Sequence, residues 1–207
     1  TDLQEKFQTA GIEVKNSNLG QLPETTWFHY PSDYLGDIVH SLNVRSDNLY
    51  AESVLRLLSL SVHEKGSAEK GIDIIRKYWQ NYEADSLELF MYDGSGLARN
   101  NKVSAKYLNC VLKETARDSL IGEYFVQTLP LAGKEGSVAT FMKHGELPGE
   151  LRLKSGSMSD VHAYAGYYTT PQNRYAIVVM INNYTCTRAQ LKQKISTLLT
   201  QVLSKKE

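Results

Sequence analysis

Two tripeptides contain the candidate catalytic residues of this chain. Ser46-Asp47-Asn48 lies near the start, and Lys154-Ser155-Gly156 follows 108 residues later. A serine hydroxyl linked to a lysine can relay a proton to the leaving nitrogen of an amide. A lysine ammonium attracts a carboxylate, and the strand after it can offer hydroxyls and a backbone N–H to a developing oxyanion. The two tripeptides together therefore indicate serine acyl transfer.

Each tripeptide alone is weak evidence. Ser-Asp-Asn also caps helices, and Lys-Ser-Gly also occurs at strand ends by chance. Their order, their separation and their predicted placement, on a turn between helices and on a strand, favour one shared site. Acyl transfer also needs an activated serine, typically Ser-x-x-Lys. The single such motif is Ser67-Ala68-Glu69-Lys70, which follows Gly66. We interpret Ser67 as the N-cap of a helix and Lys70 as an exposed side chain.

Apolar residues at helical spacing predict that the first two thirds of the chain are largely helical. The stretch 50–62 is apolar on most faces, so we expect its helix to lie centrally in the core. Ser67 is expected to begin another helix, and Val103 with Ser104 to form the hydrophobic staple and N-cap of a third.

The last third of the chain predicts strands at 151–154, 163–169 and 175–181, followed by a helix over 187–203. Connections this short require antiparallel neighbours, and the terminal helix would cover one face of the sheet. The sequence contains no internal repeat and no evident linker. We therefore predict one domain over residues 1–207, of α+β class, with an antiparallel sheet and a helical cluster.

Composition excludes several functions. Lys plus Arg and Asp plus Glu both number 23, so the net charge is zero and no basic surface favours nucleic acid or an anionic membrane. The five histidines and two cysteines lack metal-ligand spacing. We interpret Cys110 as a buried small apolar residue rather than half of a disulfide. No metal or cofactor is predicted.

Several motifs in order sharpen the interpretation. The chain resembles the low-molecular-mass penicillin-binding proteins that act as D-alanyl-D-alanine carboxypeptidase and endopeptidase and carry a large inserted region. The resemblance rests on residues 45–52, 93–100, 129–133, Gly136-Ser137, 154–158 and 165–167. Its most specific element, Asp-Gly-Ser-Gly-Leu-x-Arg, is absent from class A β-lactamases, and residues 83–87 resemble their general-base signature only loosely. The resemblance implies the C-terminal part of a transpeptidase/β-lactamase-like domain.

The resemblance also implies roles for the tripeptide residues. Ser46 would relay the proton, Asn48 would orient the substrate, and Lys154 would attract the terminal carboxylate. On the strand after Lys154, the hydroxyls of Ser155 and Ser157 would hydrogen-bond that carboxylate. Gly156 would line the substrate-binding strand, and the Ser157 N–H would form half of the oxyanion hole.

The loop motif carries two further expectations. Arg99 would lie near the side chain of the substrate's stem peptide, or else form a salt bridge that organises the loop. The stretch 93–96 is interpreted as a shape-fixing turn rather than a catalytic element.

The resemblance implies peptidoglycan stem peptides as substrates, β-lactam antibiotics as suicide substrates, and the periplasm as the location. In the family the nucleophile lies upstream of Ser46, so we expect this chain alone to be inactive. We expect an uncovered strand edge and apolar helix surface, and hence a homo-oligomer or a missing N-terminal segment. The alternatives are a non-catalytic muropeptide-binding module or degenerate homologue, and a β-lactamase, for which no positioned base is evident.

Overall fold

The computed structural model describes residues 8–9, 11, 31–63, 65–82, 86–142 and 147–205. The backbone divides into two units, Thr1–Ser32 and Asp33–Glu207. In the first unit Gln8 and Thr9 are helical, and Gly11 has a positive φ of 73°. All elements described below belong to the second unit. The expectation of a single domain over 1–207 stays a prediction.

The described residues of the second unit form six α-helices, and several begin at a side-chain cap. The Ser67 hydroxyl accepts the N–H of Lys70, and the Ser104 hydroxyl accepts the N–H of Tyr107, which confirms both predicted helix starts. None of the described helices combines the length and the apolar character that crossing a membrane requires. The helices are α1 (Leu35–Arg45), α2 (Asn48–Leu60), α3 (Ala68–Trp79), α4 (Ala105–Arg117), α5 (Gly122–Thr128) and α6 (Arg188–Leu203).

Five strands form two antiparallel sheets. A short pair, β1 and β2, precedes a three-stranded sheet of order β3-β4-β5. Its register pairs Lys154 with Ala165 and Ser157 with His162, which confirms the predicted antiparallel strands. The strands are β1 (Leu89–Phe90), β2 (Lys102–Val103), β3 (Glu150–Met158), β4 (Val161–Thr169) and β5 (Arg174–Asn182).

Helices cover both faces of the larger sheet. On one face, buried Leu153 and Tyr164 pack in a cluster with Leu191, Ile195 and Leu199 of α6. On the other face, buried Tyr167 packs with residues of α4 and α5, and its hydroxyl donates to the carbonyl of Leu112 at 2.7 Å. The mixed class and the expected position of the terminal helix are therefore confirmed.

The expectation that helix 50–62 lies centrally in the core is wrong. In α2 only Leu55 and Ser59 are buried, while Leu49 and Leu57 are 73% and 56% exposed. Helix α3 approaches α2 on the Leu55 side, where a Cβ on Gly71 would lie 2.4 Å from the Leu55 carbonyl oxygen. Apolar periodicity shows which faces can be buried, but only tertiary packing decides which faces are covered.

Candidate active site

The two tripeptides meet in the folded chain. The Lys154 Nζ donates to the Ser46 Oγ at 2.8 Å and to the carbonyl of Ser155 at 2.9 Å. The contact joins the end of helix α1 to strand β3, and so it links the helical cluster to the sheet. A hydrogen bond between a lysine ammonium and a serine hydroxyl is the arrangement that a proton relay requires.

A tight turn between α1 and α2 presents the Ser46 side chain. Ser46 adopts the left-handed conformation with φ 56° and ψ 49°, and its N–H donates to the carbonyl of Leu42. That conformation costs an L-residue about 1–2 kcal/mol. The next residue secures the turn, because the Asp47 carboxylate caps α2 by accepting the N–H of Tyr50 at 3.0 Å. Asn48 follows as the exposed first residue of α2.

The register of β3 places Lys154 on the face of the sheet that packs against α4 and α5. Lys154 pairs with Ala165, a neighbour of the Tyr167 cluster, and its side chain is half-buried. Burial lowers the pKa of the Lys154 ammonium below its ordinary value. A lysine with a lowered pKa attracts a carboxylate while charged and releases a proton more readily than an exposed one.

Hydroxyl groups continue the site along β3. The Ser155 Oγ lies 2.7 Å from the Ser137 Oγ, and the Ser157 Oγ lies 3.3 Å from the His162 Nδ1. Gly156 and Ser157 are exposed, and a Cβ built on Gly156 would meet no atom within 4 Å. The strand thus offers hydroxyls beside an ammonium, with open space next to them. These are donors suited to an anionic ligand such as a carboxylate.

Two residues near these hydroxyls could not be assigned a role from the sequence alone. They are Ser137 and His162. Ser137 lies on a short 3-10 turn, Gly136–Val138, and is exposed. The Gly136-Ser137 pair was visible as a motif, but the fact that it faces Ser155 depends on tertiary packing. His162 is 2% exposed on β4. Cross-strand pairing with Ser157 could have identified it, once the exact hairpin register was known.

The loop after β1 is held by two carboxylates. The Asp93 carboxylate accepts the N–H groups of Gly96 and Ala98 and the side-chain amide of Asn101, which confirms a shape-fixing turn. Burial acts to raise the Asp93 pKa, but these hydrogen bonds outweigh it and the pKa is lowered. The Glu52 Oε1 ties the loop to α2 by accepting the N–H of Gly94 at 2.9 Å.

Arg99 is exposed, and within the described part of the chain it forms no ion pair. The loop is therefore organised by Asp93 and Glu52 and not by a salt bridge of Arg99. No hydrogen bond among the described residues joins Arg99 to Ser46 or Lys154. Contact of Arg99 with a substrate stays a prediction.

The Ser67 hydroxyl is used structurally. It accepts the N–H of Lys70 at 3.1 Å, while the N–H of Ser67 donates to the buried Ser59 hydroxyl at 2.7 Å. Lys70 is exposed. The Ser67-x-x-Lys70 motif is therefore a helix cap, as predicted, and not an activated nucleophile.

Comparison with known proteins identifies relatives of the chain. The chain is 27% identical over 206 residues to the D-alanyl-D-alanine carboxypeptidase DacB of Haemophilus influenzae, covering 95% of this chain and 42% of that protein. It is 25% identical over 193 residues to a D-alanyl-D-alanine carboxypeptidase of Actinomadura sp. strain R39, covering 87% and 36%. The chain thus spans less than half the length of the curated relatives it matches.

Solved structures share the fold. Penicillin binding protein 4 (dacB) of Haemophilus influenzae, complexed with a β-lactam, superposes with a TM-score of 0.73 at 25% identity, covering 97% of this chain and 49% of that one. A predatory endopeptidase of Bdellovibrio bacteriovorus superposes with a TM-score of 0.65 at 16% identity, covering 99% and 55%. A model of the D-Ala-D-Ala carboxypeptidase 3 (S13) family matches residues 1–205. The chain therefore belongs to this family of serine-type carboxypeptidases.

Proposed function

We propose that this chain forms the proton-relay and carboxylate-binding side of a periplasmic serine D-Ala-D-Ala carboxypeptidase/endopeptidase that acts on peptidoglycan stem peptides. The observation that carries the proposal is the 2.8 Å hydrogen bond from Lys154 to Ser46. It places a hydroxyl that can pass a proton beside a cation that can hold a carboxylate. A peptide ending in D-Ala-D-Ala needs both, because its leaving group is an amine that carries the terminal carboxylate.

Each site residue then has a defined task. Lys154 attracts the terminal carboxylate, and the hydroxyls of Ser155 and Ser157 hydrogen-bond it. Ser46 passes a proton to the leaving nitrogen, while Asn48 orients the peptide backbone. The Ser157 N–H stabilises the oxyanion. A β-lactam antibiotic combines a carboxylate with a strained amide, so the same groups would receive it and the nucleophile would remain acylated.

We place the nucleophilic serine on a segment outside this chain. The proposal is supported by the N-cap role of Ser67 and by the exposure of apolar α2 residues close in sequence to Ser46, among them Leu49. The curated relatives also contain more than twice the length matched here. Loss of such a segment would leave this chain able to bind substrate termini but unable to form an acyl-enzyme.

Covalent labelling with a fluorescent penicillin tests the proposal. We expect no label on the 207-residue chain and clear label on a product that also contains the upstream coding sequence. A Ser67→Ala variant of the longer product serves as the control and should be labelled to the same extent. Label on Ser67 in the short chain would contradict our assignment of that residue.

Two other outcomes select the alternatives. If the longer product stays unlabelled but binds muropeptides, the chain is part of a non-catalytic binding module, an alternative favoured by the structural use of Ser67. If it turns over a chromogenic β-lactam rapidly, it deacylates as a β-lactamase does. Either result would overturn the carboxypeptidase proposal.

A further inference from the structure

A buried histidine lies directly behind the carboxylate-binding hydroxyls. His162 on β4 is 2% exposed, and its ring packs edge-on against Tyr164 with 4.8 Å between ring centroids. Its Nδ1 lies 3.3 Å from the Ser157 Oγ on the paired strand. Its Nε2 is buried and has no hydrogen-bond partner in the described part of the chain. Within the described part of the chain, the one hydrogen-bond contact of this ring therefore leads to a site residue.

The surroundings of His162 favour its neutral form. Burial lowers the pKa of the imidazole, and the positive charges of Lys192 and Arg188 on α6 lower it further. Two uncharged groups also contact the ring: Tyr164 on the same strand and Ser157 on β3. At neutral pH the ring thus carries one proton, which resides on either Nδ1 or Nε2.

The partnerless Nε2 distinguishes the two neutral tautomers. With the proton on Nε2, a buried N–H would have no acceptor among the described residues, and Nδ1 would accept the Ser157 proton. With the proton on Nδ1, the ring donates to the Ser157 Oγ, and only a lone pair on Nε2 is left unsatisfied. Orphaned buried N–H groups are rarer in proteins than under-satisfied acceptors. The second tautomer is therefore favoured.

We propose that His162 is a positioning residue of the carboxylate site: its Nδ1–H donates to the Ser157 Oγ and so leaves the Ser157 hydroxyl proton free to be donated to the ligand. A serine hydroxyl has one proton, and an anionic ligand needs that proton directed towards it. In the opposite tautomer the proton would point to the histidine instead. This inference rests on the proposed function, since it deepens the role of Ser157 in that site.

The tautomer can be measured without any ligand. Long-range ¹H–¹⁵N correlation spectra of histidine-labelled protein distinguish a protonated from an unprotonated ring nitrogen. The five histidines of the chain allow assignment by comparison with His162→Phe. We expect His162 in the Nδ1–H form at neutral pH. An Nε2–H form would overturn the inference and leave the proposed function untouched.

Binding measurements test the consequence for the ligand. In the longer product, His162→Phe keeps an aromatic ring against Tyr164 but removes the donor, whereas His162→Asn keeps an N–H donor near the Nδ1 position. We expect His162→Phe to weaken binding of a D-Ala-D-Ala peptide about tenfold, the usual effect of one hydrogen bond to a charged group. His162→Asn should restore most of that affinity.

Two controls separate positioning from packing. A peptide with an amidated C-terminus lacks the carboxylate, so its weaker binding should respond equally little to both variants. In a Ser157→Ala background, His162→Phe should cause no further loss. Equal affinity of His162→Phe and unsubstituted protein for the free-acid peptide would overturn the inference. If the unsubstituted protein binds neither peptide and takes no penicillin label, the proposed function fails, while the tautomer is still measured independently.

Discussion

Lys154 is a charged side chain that the fold makes partly inaccessible to water. Burial lowers its pKa, which means that the folded state holds the ammonium less favourably than the unfolded chain does. Between this lowered value and the ordinary value of 10.5, the unfolded chain binds more protons, so stability rises with pH there. At neutral pH the fold thus carries a charge that costs stability, a cost typical of functional sites.

Replacing this lysine should separate stability from function. Lys154→Met keeps a long side chain but removes the buried charge, so we expect the thermal unfolding midpoint to stay the same or rise. Binding of a D-Ala-D-Ala peptide by the longer product should fall at least tenfold, because the cation opposite the carboxylate is lost. Calorimetry and a binding titration check the two effects. A lower midpoint would contradict the assigned cost of burial.

His162 predicts a pH dependence of stability in a different range. Its folded pKa lies below the ordinary 6.5, so the unfolded chain takes up a proton first as the pH falls. Considering His162 alone, the free energy of unfolding should therefore be undiminished above pH 6.5 and decline below it, until the histidine of the folded chain is itself protonated. Carboxyl groups with lowered pKa values, such as Asp93 and Glu123, add losses only nearer pH 4. Thermal melts from pH 7.5 to 4.5 measure the decline.

The matched variant is His162→Phe, which has no proton to bind at this position. Its stability should vary less between pH 6.5 and 5 than that of the unsubstituted protein. Identical slopes for the two proteins in that range would show that His162 does not titrate as its surroundings imply.

At the scale of elements, a short turn connects the two sides of the site. Gly136 begins the 3-10 turn with a positive φ of 50°, and a Cβ there would lie 2.2 Å from the Val44 carbonyl oxygen. Val44 belongs to the last turn of α1, two residues before Ser46. The next residue, Ser137, contacts Ser155. The turn therefore sets the spacing between the serine at the end of α1 and the hydroxyls of β3.

Gly136→Ala should disturb this spacing. The new methyl group meets backbone in a conformation already unfavourable for alanine, so we expect a destabilisation of about 1–3 kcal/mol and weaker peptide binding. Gly96→Ala is the control, since Gly96 also has a positive φ, 79°, but open space around its Cβ. Chemical denaturation of both variants checks the difference. Equal losses would mean that the contact with Val44 is unimportant.

Local chemistry made several of these elements predictable. Ser67 and Ser104 cap their helices through bonds to residues three positions ahead, which sequence spacing reveals directly. The three-stranded sheet was predictable because short connections force antiparallel order. The contact of Ser137 with Ser155 was not predictable in the same way, because it joins elements that only tertiary packing brings together. The exposure of Leu57 depends on what covers α2, which periodicity does not reveal.

At the scale of the whole molecule, the described residues leave apolar helix surface exposed and one strand edge without a partner strand. Among the described residues, no strand pairs with the outer edge of β5, and α2 exposes Leu49, Leu57 and Leu60. Unpaired strand edges and contiguous apolar surface favour association with another chain. Such surfaces match the proposal that a further segment completes the site.

We expect the 207-residue chain alone to self-associate. Leu57→Glu, which places a charge on the exposed face of α2, should shift the chain towards monomer. Leu120→Glu is the control, because Leu120 is 90% exposed in a turn and carries the same substitution away from α2. Sedimentation velocity at several concentrations measures both. A chain that stays monomeric at tens of micromolar would contradict this prediction.

The hydrogen bond between Lys154 and Ser46 also has a consequence for folding. It closes a loop of 108 residues, so it is a contact of high contact order. Such contacts form late, because the chain between them must first be ordered. The helices can nucleate locally, but the relay exists only after the sheet has docked on them. A nascent chain therefore lacks the paired serine and lysine until β3 has docked, and the appearance of that pair marks a late stage of folding.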